Sequence, residues 1–218
     1  MKTWLLACTF ALSLAGVAVA DENPSFQEPT YIGPLNAAEK AFVAEIQADL
    51  PKRFPTAPDA ERAGYVRYTT EDPTGAISYA NRQWQSADAM HPSQLWYDKN
   101  GNLLGADFSV LKTGNTPPRL WGIHPGRWWE FDRHVHYVYR DPATGKLVYD
   151  SWVADDRFIR AGGSLTDPQA DTLVKLGLVK SASDVVTVFN FPDVWDLIVW
   201  VKPNPNGAFA EKNPLVSP

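Results

Sequence analysis

The amino-acid sequence predicts an α+β fold: a single antiparallel sheet built from β-hairpins, with two or more helices packed against it. Three segments repeat one pattern, in which an aromatic-rich run leads through a tight turn with glycine into a second such run. Two other stretches space their apolar residues as amphipathic helices do. The chain has 218 residues, 44% of them apolar, which is enough for one sizeable core. We therefore expect one globular α+β domain over residues 36–218.

The N-terminus has the pattern of a secretory signal peptide over residues 1–20. Lys2 supplies a positive charge, residues 4–17 are nearly all apolar or small, and the Ala-Val-Ala sequence that follows has the form of a signal-peptidase site. The apolar stretch is shorter than the ~20 residues that span a bilayer. We expect a secreted or periplasmic protein that begins at Asp21 and has no stable membrane insertion after the signal peptide is removed.

The next segment leads into the first helix. Residues 21–35 are expected to form an extended lead-in, because proline and glycine recur there. A helix is predicted over residues 37–50, where Asn36 can cap the first turn while Glu39 reaches back to the cap, and Pro51 follows the last apolar position. The apolar stripe, which predicts packing against the sheet, is Phe42, Val43, Ile46 and Leu50.

Three β-hairpins are predicted where Asp opens a turn and Gly closes it, since Gly tolerates the positive φ that such turns need. In the third hairpin, Asp141 is expected to pair with Lys146, which places Ser151 opposite His136 and leaves Asp150 outside the site. A slip of one residue would put Asp150 opposite His136 instead. The paired runs are 65–71 with 76–84, 95–97 with 103–111, and 128–140 with 146–153.

The C-terminal part of the chain predicts one more helix and two strands. A helix is expected over residues 168–176, where proline stands in the first turn and glycine follows the last residue. Residues 185–191 and 195–201 are rich in β-branched and aromatic residues. The second of these runs is apolar on both faces apart from Asp196, as expected of a central strand.

Composition and missing motifs exclude several classes of function. Cys8 is the only cysteine and lies in the predicted signal peptide, so the mature chain would have no disulfide, thiolate nucleophile or cysteine metal ligand. The net charge of −5 becomes −6 when Lys2 is removed, which argues against a nucleic-acid partner. The sequence has no P-loop, dinucleotide-binding glycine pattern, G-x-S-x-G elbow or H-E-x-x-H motif, so no nucleotide cofactor is expected.

The sharpest functional signal is the segment 128–140, which is predicted to be one strand with a core face and a polar face. Histidines at i and i+2 stand roughly 7 Å apart along a strand, a spacing at which both rings can turn onto one metal ion. On a half-exposed sheet the same side chains would simply be solvated, and that alternative stays open. The polar face carries Glu130, Asp132, His134 and His136.

A metal site without cysteine would hold Zn²⁺ or Cu²⁺ through imidazole and carboxylate groups. His124 precedes a Pro-Gly turn that leads back to the two histidines, so it is a candidate further ligand, together with one carboxylate from Glu130 or Asp132. Catalysis would need an open position on the metal, with Glu130 as the base, and nothing in the sequence shows that position. We therefore predict binding of a divalent metal and leave enzymatic activity unassigned.

A second class of function competes with metal binding. Exposed Trp and Tyr side chains can form a platform for sugar rings or line a pocket for an apolar ligand. The alternative prediction is thus an aromatic-lined module that binds a carbohydrate or apolar ligand and no metal. Tryptophans cluster in the predicted hairpin region, at Trp84, Trp96, Trp121, Trp128, Trp129 and Trp152.

Three short segments in roughly the last 120 residues share their motifs and order with a known family. They are Leu95-Trp96-Tyr97-Asp98 with the run from Asn102 to Phe108, then His134-Val135-His136-Tyr137, then Val194-Trp195-Asp196-Leu197-Ile198-Val199-Trp200. In these motifs the chain resembles the oil-body-associated protein family, in which a Tyr-Asp turn leads to a Leu-x-Gly strand, a His-x-His strand and a Trp-containing strand. The resemblance implies an association with lipid bodies without an established chemistry, and it adds weight to His134 and His136.

Overall fold

The computed structural model describes residues 26–84 and 88–218, and it confirms the α+β class. The predicted signal peptide lies outside the described residues. The α-helices are α1 (Ala37–Arg53), α2 (Ala57–Arg62), α3 (Asp155–Arg160) and α4 (Ala170–Lys175). The strands are β1 (Phe26–Gln27), β2 (Val66–Arg67), β3 (Ile77–Ala80), β4 (Gln94–Tyr97), β5 (Leu103–Leu111), β6 (Trp129–Phe131), β7 (His134–Arg140), β8 (Leu147–Ala154), β9 (Val185–Phe191) and β10 (Val194–Trp200).

The strands form two antiparallel sheets, whereas the sequence predicted one. The larger sheet has seven strands in the order β1-β6-β10-β5-β4-β3-β2, and the smaller has three in the order β8-β7-β9. The three predicted hairpins all form, since β2 pairs with β3, β4 with β5, and β7 with β8. The third hairpin belongs to the small sheet, which separates it from the other two.

One face of the seven-stranded sheet packs against α1 and forms the largest core. On β5, Ala106, Phe108 and Val110 point to this face. Because side chains alternate along a strand, Asp107 and Ser109 point to the opposite face. The two central strands pair from Val194 with Leu111 to Trp200 with Gly105. The helix contributes Phe42, Val43, Ile46 and Leu50, as its apolar stripe predicted.

The three-stranded sheet also has one helix-covered face. Val135 and Tyr137 of β7 pack in a cluster with Phe158 of α3 and Leu173 of α4. Residues on the other face of β7 lie opposite aromatic residues of β9, His134 opposite Phe191 and His136 opposite Phe189. A further cluster, which joins this face to the large sheet, contains Tyr68, Val138, Phe189, Phe191 and Val194.

The prediction of one continuous strand over 128–140 is wrong. The chain forms β6 in the large sheet, leaves it at Asp132-Arg133, and continues as β7 in the small sheet. Asp193 holds this break, because its carboxylate accepts the Arg133 backbone N–H at 3.0 Å. Arg133 also pairs with Asp155 at the start of α3, at 2.5 Å. These contacts come from distant parts of the chain, so residue alternation within the segment does not reveal them.

The predicted turns and helices are mostly correct, with differences at their ends. In all three hairpin turns the glycine has positive φ, +81° at Gly75, +79° at Gly101 and +70° at Gly145. The first helix has the predicted capping box but continues to Arg53, because Pro51 has a helical φ and the Phe54 N–H still bonds to the Leu50 carbonyl. The second predicted helix, over residues 168–176, is shorter in the structure, where α4 spans Ala170–Lys175.

Short elements that the sequence analysis did not predict complete the fold. Helices α2 and α3 each span six residues. Part of the expected extended lead-in forms β1, which pairs with β6 at the edge of the large sheet, and residues 21–25 lie outside the described part. No helix among the described residues is long and apolar enough to cross a membrane.

Candidate ligand cavity

The two sheets enclose between them a partly open cavity of about 460 Å³, which we call the inter-sheet cavity. The large sheet contributes residues from the face turned away from α1, and the small sheet contributes the histidine face of β7 and part of β9. Its aromatic lining consists of Phe26, Tyr68, Trp96, Phe131, Phe191 and Trp200. Its main polar groups are Gln94, Asp107, Asp196, His134 and His136.

Two buried aspartates, the carboxyl pair, lie at the large-sheet side of the cavity. Asp107 on β5 is 5% exposed and Asp196 on β10 is 3% exposed. Asp196 pairs in register with Ser109. Ser109 lies two residues after Asp107 on β5, so the side chains of Asp107 and Asp196 point to the same face of the sheet. The Trp96 Nε1–H donates to Asp107 Oδ2 at 3.0 Å, and the Ser109 hydroxyl donates to Asp196 Oδ1 at 2.7 Å.

Burial disfavours the simultaneous ionisation of both carboxyl groups of the pair. Burial, and then the negative charge of Asp196, raises the pKa of Asp107 well above its usual range. Burial also raises the pKa of Asp196, to about 6, although hydrogen bonds from Ser109 and Asp107 oppose this rise. The Oδ1 atom of Asp107 is buried without a partner among the described residues when both groups are ionised. The raised pKa of Asp107 favours a shared state, in which a proton on Asp107 is donated to Asp196 and the pair carries one negative charge.

Tyr68 and Gln94 connect the carboxyl side of the cavity to the histidines. The Tyr68 hydroxyl donates to Gln94 Oε1, and Gln94 lies opposite Asp107 in the pairing of β4 with β5. The Tyr68 ring contacts the His136 ring edge-on, with centroids 4.9 Å apart. Burial raises the pKa of Tyr68, so its hydroxyl stays protonated and acts as a donor.

The histidine pair, His134 and His136, lies on the small-sheet side of the cavity. His134 Nδ1 lies 2.8 Å from the Asp132 carbonyl oxygen, which fixes a proton on Nδ1 and leaves Nε2 as an acceptor. The two Nε2 atoms are 2.9 Å apart, so His136 donates from Nε2 to His134. The Nδ1 atom of His136 is then unprotonated, and it is buried with no hydrogen-bond partner in the described part of the chain.

Both rings of the histidine pair are neutral at physiological pH. Burial lowers the pKa of His134, which is 6% exposed. Burial, followed by the neighbouring His134, lowers the pKa of His136 to about 3. The Ser151 backbone favours protonation of His136 only weakly, without a well-formed hydrogen bond to Nδ1. The histidine pair therefore adds hydrogen-bonding atoms to the cavity and no positive charge.

The five predicted metal ligands are not brought together. His134 and His136 meet, and Asp132 contributes its backbone carbonyl to His134. His124 is exposed on another loop, where its ring stacks on Tyr31 with centroids 4.0 Å apart. Glu130 forms an ion pair with Lys112, and it is paired with Trp195, on the α1 side of the large sheet. Among the described residues, no group of three or more His, Cys, Asp or Glu side chains is arranged to hold a metal.

The predicted register of the third hairpin is correct at the turn and wrong at the site. Asp141 pairs with Lys146, its N–H donating to the Lys146 carbonyl at 2.8 Å. A bulge near Asp150, which has a φ of 56°, then shifts the register by one residue. Trp152 rather than Ser151 therefore lies opposite His136. Asp150 stays outside the cavity lining and accepts the Thr70 N–H at 2.9 Å instead.

The carboxyl pair was missed as a site, although the sequence contained a signal for it. Asp196 is the one charged residue of β10, and Asp107 is the one charged residue of β5. A carboxyl in an otherwise apolar central strand must be paired, protonated or functional, because burying an isolated charge is costly. What the sequence does not show is that the two strands are neighbours and that both carboxyls point to the same face.

Comparison of the chain with protein-family models, with curated proteins and with solved structures gives no significant match in any of the three. The resemblance to oil-body-associated proteins therefore stays a prediction. The fold and the cavity define an α+β protein with an aromatic and acidic site between two antiparallel sheets. Its function is inferred below from that site.

Proposed function

We propose that the protein binds a small organic molecule in the inter-sheet cavity, with an apolar part against the aromatic rings and a polar group at the carboxyl pair. This proposal develops the aromatic-ligand alternative of the sequence analysis. The observation that supports it best is a cavity of about 460 Å³ that combines six aromatic side chains with a few convergent polar groups. Cavities of this size and composition are typical of small-molecule sites, which commonly measure about 300–1,000 Å³.

The two parts of the cavity lining have different roles in this proposal. The rings of Trp96, Phe131 and Phe191 offer apolar surface, whose removal from water favours binding. The carboxyl pair offers a buried oxygen, Asp107 Oδ1, that receives no hydrogen bond from any described residue. Polar groups of this kind orient a ligand, because a ligand that leaves them unpaired binds less well.

Filling the cavity tests the proposal. We expect Ile198→Phe, which adds a ring at a cavity-lining position, to weaken binding of small molecules found by screening sugars, alcohols and amines at millimolar concentration. The matched control is Ile159→Phe, at an exposed position of α3 outside the cavity. Binding is measured by tryptophan fluorescence, because Trp96 and Trp200 line the cavity. A ligand that binds both variants equally well would contradict the proposed location.

We also propose the histidine pair as a divalent-metal site, the first prediction from the sequence. The supporting observation is that the two Nε2 atoms converge to 2.9 Å while the Asp132 carbonyl holds the far side of the His134 ring. Metal-ligating histidines are commonly oriented by such a backbone acceptor. Zn²⁺ or Cu²⁺ would bind at the two Nε2 atoms, the His136 ring would carry its proton on Nδ1 instead of Nε2, and water or a bound ligand would complete the coordination.

Metal titration separates the two proposals. We expect His134→Ala/His136→Ala to lose any tight Zn²⁺ or Cu²⁺ binding, as measured by calorimetry on protein without an affinity tag. His91→Ala is the control, since His91 stacks on Trp84 and pairs with Asp88 away from the cavity. Metal-free wild-type protein whose thermal unfolding does not respond to either ion would remove the metal proposal and leave the cavity proposal intact.

A further inference from the structure

The charged groups of the inter-sheet cavity have one sign. Four carboxyl side chains line it, and no Lys or Arg does so among the described residues. The histidine pair adds no positive charge, since both rings are neutral. The carboxyl groups are Asp72, Asp107, Asp196 and Glu211.

The aromatic rings of the cavity suit a cation as well. The negative face of a Trp, Tyr or Phe ring attracts a cation within about 6 Å of its centre. Trp96 and Trp200 lie edge to face, with centroids 5.5 Å apart, and both line the cavity beside the carboxyl pair. Trp96 is also fixed in place, because its Nε1–H is bonded to Asp107 Oδ2. Rings held in this way can receive a cation without first being ordered.

We infer that the ligand of the inter-sheet cavity is an organic monocation, an amine or a quaternary ammonium, whose charge lies against the aromatic rings and the carboxyl pair. This inference rests on the proposed function and names its ligand class. A second, independent observation supports it beyond the acidic cluster: Asp107, which is 5% exposed and lines the cavity, has an oxygen, Oδ1, that receives no hydrogen bond from any described residue. An anionic ligand would meet four carboxyl groups and no cationic side chain of the described chain.

Charge balance explains why a monocation fits better than a neutral molecule. With one shared proton, the carboxyl pair carries a single negative charge that a monocation neutralises. A neutral polyol would leave that charge buried without a counter-ion, which is unfavourable in an apolar cavity. A divalent ion at the carboxyl pair would need further ligands, which the described residues do not gather there.

The same charge balance predicts a pH dependence. The other titratable groups that line the cavity with the carboxyl pair are Tyr68, the histidine pair, and the Asp72 and Glu211 side chains. Tyr68 stays protonated, His136 stays neutral and burial lowers the pKa of His134, so the change of charge beside the bound cation is assigned to Asp196, whose pKa is about 6. Protonation of Asp196 removes the charge that the cation needs. Cation affinity should therefore fall as the pH drops below about 6, approaching tenfold per unit.

Choline and its neutral isostere 3,3-dimethylbutan-1-ol test the inference, because they share a shape and differ in charge. We expect choline to bind the full chain at least ~10-fold more tightly than the alcohol, measured by quenching of tryptophan fluorescence and by calorimetry. Asp196→Asn should lose most of this difference. The matched control is Asp171→Asn, which makes the same charge change at an exposed position on α4.

A second variant, Asp107→Asn, tests the inference if Asp196→Asn does not fold. In Asp107→Asn the amide can accept from Trp96 and donate to Asp196, so the negative charge and the hydrogen bonds remain. We expect this variant to keep part of the preference for choline, because Asp196 keeps its negative charge, and to lose that preference as the pH falls through the pKa of Asp196. If choline affinity does not change with pH between 8 and 5 in either protein, the inference is overturned.

The remaining outcomes distinguish the inference from the proposed function. If the alcohol or a neutral sugar binds as tightly as choline, the site is a ligand site but not a cation site, and only the inference fails. If Zn²⁺ binds in the cavity and choline does not, the metal proposal stands and the inference fails. If no member of the wider screen binds the wild-type protein, both the inference and the cavity proposal fail.

Discussion

The fold favours the protonated, neutral form of the Asp107 carboxyl group. Its Oδ2 has a donor in Trp96, while its Oδ1 is satisfied only by carrying a proton toward Asp196. An Asn at this position presents an oxygen to Trp96 and an N–H to Asp196 without that proton. An acid at a position where an amide would satisfy both neighbours is typical of a residue that serves function rather than stability.

We expect Asp107→Asn to stabilise the protein at neutral and alkaline pH. Burial raises the pKa of Asp107 above its unfolded value, so the wild type loses stability as pH rises from the unfolded value near 4 toward the raised folded value. The amide does not titrate, so the variant should gain on the order of 1–3 kcal/mol relative to the wild type by pH 8.

Urea unfolding of both proteins between pH 4 and pH 8 measures this gain. Asp171→Asn is the control, since that exposed carboxyl is outside the cavity. The stability contribution of Asp196 is lost between about pH 4 and 6 in the wild type, and the same sign applies because its folded pKa is also raised. A difference between Asp107→Asn and wild type that stays constant with pH would contradict the proposed ionisation of Asp107.

At the scale of elements, β5 depends on one close backbone approach. A Cβ at Gly105 would lie 2.7 Å from the Val199 carbonyl oxygen and 2.8 Å from the Trp96 ring. We therefore expect Gly105→Ala to destabilise the protein by about 1–3 kcal/mol, and to shift Trp96 from the cavity. Gly114→Ala is the control, because nothing lies within 4 Å of its added Cβ. Thermal and urea unfolding measure the first effect, and equal stability of the two variants would refute it.

The elements also show which parts of the fold the sequence could predict. Hairpin turns and the cap of α1 were predicted because each depends on a few neighbouring residues, as in the pairing of Asn36 with Glu39. The break between β6 and β7 was not, because it depends on Asp193 and Asp155 from other parts of the chain. The bulge at Asp150 likewise depends on Thr70, whose backbone N–H and hydroxyl donate to the Asp150 carboxylate from a distant part of the chain.

At the scale of the whole molecule, the candidate site depends on how the sheets are arranged. The sequence grouped His134 and His136 correctly, because side chains two residues apart on a strand point to the same face of any sheet. It could not bring them near Asp107 and Asp196, because the face-to-face position of two sheets follows from packing between distant segments. It also placed Glu130 beside the histidines, which the change of sheet after β6 prevents.

The two sheets differ in the size of the core behind each. The large sheet buries a core against α1 that contains most of the buried apolar residues, whereas the small sheet packs on the two short helices α3 and α4. Amides of β5 and β10 should therefore exchange with solvent most slowly, and those of the edge strand β8 faster. Because residues of both sheets line the cavity, a ligand bound there would contact both sheets.

We expect choline to slow amide exchange in β7 and β9 of the small sheet, and not only in the strands that hold the carboxyl pair. Openings that separate the sheets break the ligand's contacts with Phe191 while the large sheet stays folded. Ligand at 100 times its Kd would therefore slow such openings by up to ~100-fold. Hydrogen exchange followed by mass spectrometry, with Asp196→Asn at the same choline concentration as control, measures this. Slowing confined to β5 and β10 would place the ligand on the large sheet alone and rule out a site shared by both sheets.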